Sequence, residues 1–97
     1  MSKKQGELHQ ARLHNRRQQE HESVQVLAAD TCCICSLAYH DLSPDTQERF
    51  AVQHFIDAIK DEDDRLRLRR EKLCSMGEAL SLACELEAFR LDRKSVV

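Results

Sequence analysis

The sequence predicts an all-α protein, a compact bundle of about four core helices preceded by an N-terminal helical or flexible arm. Three observations point there. Glycine occurs twice and proline once in 97 residues, which leaves too few turn formers for a sandwich or barrel. Apolar residues recur three and four apart over long stretches, with no strand pattern in the chain. Two of those stretches open on helix-start signals, Ser43-Pro44-Asp45 and Ser75-Met76-Gly77-Glu78.

Residues 1 to about 19 are polar and helix-permissive, with Leu8 and Ala11 or Leu13 as apolar anchors. They suit a weak amphipathic helix or a mobile lead-in. From Ser23 to Tyr39, the residues Val24, Leu27, Ala28, Thr31, Ile34, Cys35 and Ala38 form one stripe at helical spacing, and Ser23 can cap the first turn. His40 to Ser43 breaks the pattern, and a second helix starts at Pro44 and runs to Ile59. Its inward stripe is Ala51, Val52, Phe55, Ile56 and Ile59, whereas Gln47, Phe50, His54 and Asp57 face elsewhere. Phe50 lies a quarter-turn or more off that stripe, where it stands outward, widens the core face, or packs on the loop around Leu42. The acids Asp61 to Asp64 suit the positive end of a short third helix, Glu62 to about Arg70, carrying Leu66 and arginines. Ser75 and Glu78 have capping-box spacing ahead of Ala79, Leu80, Leu82, Ala83, Leu86 and Phe89, a last helix from Met76 to about Leu91.

Composition narrows the function. The chain has one domain's length, and it carries 15 bases against 17 acids for a net charge of -2, so no global field favours nucleic acid. No apolar run approaches a membrane span, and a soluble protein in an intracellular, cytoplasmic setting is expected. An odd five cysteines, Cys32, Cys33, Cys35, Cys74 and Cys84, read as reduced thiols. Cys32 and Cys35 have C-x-x-C spacing, but Cys74 and Cys84 supply no second knuckle and the motif falls late in a helix, so neither a metal site nor a redox site is expected. The five histidines follow no catalytic order, and Gly6 and Gly77 stand alone, which removes a phosphate loop. Two basic runs remain, Arg12, Arg16 and Arg17, then Arg65, Arg67, Arg69, Arg70 and Lys72. The second follows a run of acids with no aromatics interleaved for stacking, so nucleic acid is not the expected partner.

The order of segments adds a resemblance. Glu22-Ser23-Val24 leads to Leu27-Ala28. Leu37-Ala38-Tyr39 follows with Asp41-Leu42-Ser43-Pro44, then Phe55-Ile56 and Ile59, then Glu78-Ala79-Leu80-Ser81-Leu82-Ala83 with Leu86-Glu87-Ala88. Over about residues 8 to 91 this text resembles Ty3/gypsy-type retrotransposon Gag, in the C-terminal domain of its capsid protein. Gln18, four residues before Glu22, resembles the Gln and Glu of the major homology region that such capsids share. Two segments depart from the pattern: Thr31 to Cys35 stands where such sequences carry a polar, Arg-containing stretch, and Leu73-Cys74 stands where they often carry a proline. The chain also has no Cys-Cys-His-Cys zinc knuckle, and reads as an isolated or decayed Gag fragment or one taken over by a host.

The resemblance implies an arm over residues 1–19, a capsid C-terminal-like domain over 20–92 and a tail over 93–97. It implies no enzymatic activity, no cofactor and no metal. Gln18, Glu22, Val24 and Leu27 would be structural. Function would be self-association, as a homodimer or capsid-like assembly, with copies of itself or other Gag-like chains as partners. In retroviral capsids the second helix of this domain packs on its own copy across a two-fold axis around a bulky side chain. That implies an interface centred on Phe50 and flanked by Gln47, His54 and Asp57. The related SCAN domain, which serves only to dimerise, is a second precedent. The rival expectation is a small regulator, derived from a host, that touches nucleic acid through its arginines; steep salt dependence would mark it.

Overall fold

The computed structural model describes the backbone of residues 3–95 and the side chains of residues 7–89. Its described residues are all-helical: α1 (Lys3–Asn15), α2 (Val24–Ala38), α3 (Pro44–Ala58), α4 (Glu62–Arg70) and α5 (Met76–Ser95). Of the expected arm over residues 1–19, residues 3–15 form α1, which lies along α2. Of the expected tail, residues 93–95 continue α5, and the last two lie outside the described residues.

The starts of α2, α3, α4 and α5 have local causes. Ser23 Oγ accepts from the Val26 N–H at 3.3 Å, Ser43 Oγ from the Thr46 N–H at 3.3 Å, and Asp61 Oδ1 from the Asp64 N–H at 3.0 Å. Each satisfies a donor that the first helical turn leaves without a partner. Pro44 occupies the first turn of α3, where its missing N–H costs nothing. At α5 the Ser75 Oγ accepts from the Glu78 N–H at 3.2 Å, and the Glu78 carboxylate reaches back to the Cys74 N–H at 3.5 Å, one residue earlier than a regular capping box.

The stripes bury as spaced. All seven expected residues of α2 are buried, and so are Ala51, Val52, Phe55, Ile56 and Ile59. The main core joins Val24, Leu27 and Ala28 of α2 to Val52, Phe55 and Ile56 of α3, with Leu68, Ala79 and Ala83 closing it from α4 and α5. Phe55 at its centre is fully buried, which stabilises by about 1.5–3 kcal/mol relative to exposure. A second cluster, Leu13, Ile34, Cys35 and Ala51, fastens α1 to α2 and α3.

Two details differ from the expectations. The buried leucine of α4 is Leu68, while Leu66 is 51% exposed. Two leucines two positions apart on a nine-residue helix must point to different sides, and the period alone does not choose between them. Helix α5 also continues to Ser95, past the expected end near Leu91, because nothing after Leu91 breaks a helix.

Candidate functional site

Two regions carry the expected residues, the junction before α2 and the outward flank of α3. At the junction, the Gln18 backbone N–H donates to the Ala58 carbonyl at 2.8 Å, and its side-chain Oε1 accepts from the Lys60 N–H at 3.0 Å. Gln18 Nε2 donates to the Glu22 carbonyl at 2.9 Å. One glutamine thus ties the connection between α1 and α2 to the end of α3, where carbonyls lack helical partners. Glu22 pairs with the Arg16 guanidinium and accepts from the Gln19 N–H at 3.0 Å. Arg16 Nε reaches Asp30 on α2 at 2.6 Å. The Arg16 bond holds the Glu22 carboxyl below its ordinary range against the opposing effect of burial, and the same bond raises Arg16. Val24 and Leu27 sit behind this junction in the main core.

On α3, the residues Gln47, Phe50, His54 and Asp57 follow one flank, but each meets a different neighbour. Gln47 Nε2 donates to the Tyr39 carbonyl at 2.8 Å and to the Leu42 carbonyl at 3.2 Å, closing the loop between α2 and α3. Phe50 is 38% exposed, and one side of its ring rests on Tyr39, with centroids 4.9 Å apart. His54 meets His14 of α1 edge-on at 5.1 Å; burial, then His14, lowers its pKa, with Asp57 opposing. Asp57 pairs with Arg69 of α4 at 2.5 Å. Of the four, Phe50 is the apolar group presented outward.

The cysteines do not converge. Cys35 is buried and its thiol donates to the Gln47 carbonyl at 3.2 Å, whereas Cys32 and Cys33 turn outward on the same helix. Desolvation raises the Cys32 and Cys35 thiols, with Glu48 adding at Cys32 and the Cys32 thiol adding at Cys35, which disfavours the thiolate that binds metal or attacks. Among the described residues no group of three or more His, Cys, Asp or Glu side chains is placed to hold a metal ion, and no helix is long and apolar enough to cross a membrane. The arginine runs divide: Arg16, Arg65 and Arg69 bond within the fold, and Arg12, Arg67 and Arg70 stand exposed.

Helix α2 carries a second apolar stripe, outside the expected one. On α2 Val26, Ala29, Cys33 and Leu37 stand exposed on one line opposite the core stripe. Their spacing of three and four was visible, but the buried stripe on the same helix was the stronger pattern. Phe89 of α5 was expected to be part of an apolar run, yet it is 68% exposed. No protein family, curated protein or solved structure matches the chain.

Proposed function

We propose that the protein is a non-enzymatic self-association module of the Gag capsid C-terminal type, and that it pairs with its own copy through the outward flank of α3. The observation that carries this reading is Phe50, an aromatic ring 38% exposed on a helix whose other face is locked in the core, and backed by Tyr39. A ring held on a rigid element loses little entropy when a partner covers it. Copies of the chain, or other Gag-like chains, are the partners this reading names. Gln47, His54 and Asp57 then act as supports that fix α3 against its neighbours. The resemblance of the Gln18 to Val24 segment to the major homology region supports the same reading, because Gln18 and Glu22 brace that segment by hydrogen bonds.

Sedimentation velocity over a concentration series tests it. Phe50→Ala should weaken self-association by about 2 kcal/mol, or about thirtyfold in Kd, with helicity nearly intact. A lowered thermal midpoint with association untouched would place Phe50 in the core. A parent chain strictly monomeric at high micromolar concentration would overturn the reading altogether.

A further inference from the structure

The arginines after α1 and on α4 are far apart in sequence, yet they share one concavity. Arg17 from the connection after α1, and Arg65 and Arg69 from α4, line a hollow of about 540 Å³ together with His14, His54 and Asp57. Its floor is Leu13, fully buried in the second core cluster. The chain as a whole carries a net charge of -2, so three guanidiniums around one hollow with a single carboxylate are a local excess of positive charge. The guanidiniums are also positioned. Arg65 donates to the Ile59 carbonyl at 2.9 Å, Arg17 to the His14 carbonyl at 3.0 Å, and Arg69 to Asp57 at 2.5 Å. Each bond uses part of a five-donor fork and leaves further N–H groups for a ligand.

We propose that this hollow is an anion site for a compact ligand bearing clustered phosphates. Planar guanidinium forks match phosphate oxygens in pairs, and several of them converging in a concave site favour a multiply charged ligand over a single carboxylate. An extended nucleic-acid backbone fits less well, because it needs a track of cations, and Arg12, Arg67 and Arg70 on the outer faces do not line the hollow. Phe50 does not line the hollow, but His54 and Asp57, one and two turns further along the same flank of α3, do.

His54 gives the site a proton-linked response. It shares the hollow with His14 from α1, Arg17 from the connection after α1, Asp57 from its own helix, and Arg65 and Arg69 from α4. Without ligand, burial and then His14 disfavour the His54 imidazolium, with Asp57 opposing. A bound polyanion favours that imidazolium, so His54 takes up protons on binding, while the phosphates in a cationic hollow give protons up.

Isothermal titration with sodium tripolyphosphate, at low salt and in two buffers of different ionisation enthalpy, tests the proposal. Saturable binding at pH 6.5 is expected, weakened at least about tenfold in Arg17→Gln/Arg69→Gln and changed by less than about twofold in Arg12→Gln/Arg67→Gln. His54→Gln should retain its helical circular dichroism and shift the net proton exchange on binding toward release relative to the parent. Equal losses in the two double variants would reduce the site to diffuse surface charge and overturn the proposal. Failure to bind at millimolar tripolyphosphate, or tighter binding of a short single-stranded oligonucleotide that depends equally on Arg12 and Arg67, would overturn it too. Since Phe50→Ala leaves the hollow untouched, the same titration on that variant separates this proposal from the interface reading.

Discussion

Glu22 is the clearest case of one side chain holding several others. Its carboxylate meets Arg16 and the Gln19 N–H, its carbonyl accepts from Gln18, and Arg16 goes on to Asp30. Only 12% of the Glu22 side chain is exposed, and removing the carboxylate takes the partner from the part-buried Arg16 Nη2 and from the Gln19 N–H. Glu22→Ala should therefore destabilise the fold by about 1–3 kcal/mol. The sign of the pH dependence follows from the lowered carboxyl. An ordinary glutamate in the unfolded chain takes up its proton near pH 4.3, whereas the folded Glu22 resists until lower pH. Its contribution is therefore complete above about pH 4.3, and is lost as pH falls through the folded value. Urea midpoints of the parent and Glu22→Gln should differ at pH 7 and converge near pH 3. A gap of equal size at both pH values would show that the carboxylate charge contributes nothing.

The turn between α4 and α5 shows where element-level signals succeed and where they stop. Lys72, just after α4, is the described non-glycine residue at positive φ, 50°. A left-handed residue after a helix is ordinarily glycine, because a Cβ there crowds the following carbonyl. Lys72→Gly should relieve that crowding and raise stability by up to about 1 kcal/mol, read as a higher urea midpoint; a fall would mean that the lysine stem packs usefully. In the sequence the helix ends were legible at Ser23, Ser43 and Ser75 because a hydroxyl cap is local chemistry. The end of α4 near Arg70 was legible too, but the left-handed residue after it was not, since Lys72 gives no glycine signal. Buried stripes were equally legible on α2 and α3, where seven and five residues repeat the period. Leu68 escaped because α4 is too short for a period to accumulate. At the candidate sites, sequence spacing put Gln47, Phe50, His54 and Asp57 on one flank, but their partners Tyr39, His14 and Arg69 depend on how three other helices pack. The shared hollow of Arg17, Arg65 and Arg69 was invisible for the same reason.

At the scale of the whole molecule, α1 decides whether the fold is a bundle with an attachment or one cooperative unit. Its sequence is polar, yet Leu13 is buried to 1% exposure among Ile34, Cys35 and Ala51. Gln18 then carries the chain from the end of α1 to the last carbonyl of α3. The second cluster is small, but it shares α2 and α3 with the main core, so neither cluster can open without exposing a helix that the other needs. Leu13→Ala leaves a cavity at the point where α1, α2 and α3 meet, and should destabilise the protein by about 2–4 kcal/mol. If the unit is cooperative, that loss appears in hydrogen exchange as faster global opening of α2, α3 and α5 together, with one urea transition by every probe. If α1 is an attachment, the substitution accelerates exchange in residues 7–15 alone and leaves Phe55 and its neighbours as protected as before. The hollow lined by Arg17, Arg65 and Arg69 sits directly over Leu13, so tripolyphosphate binding should weaken in Leu13→Ala to the extent that the end of α1 detaches. A variant with frayed α1 and full affinity would show that Arg17 is not held in place by that packing.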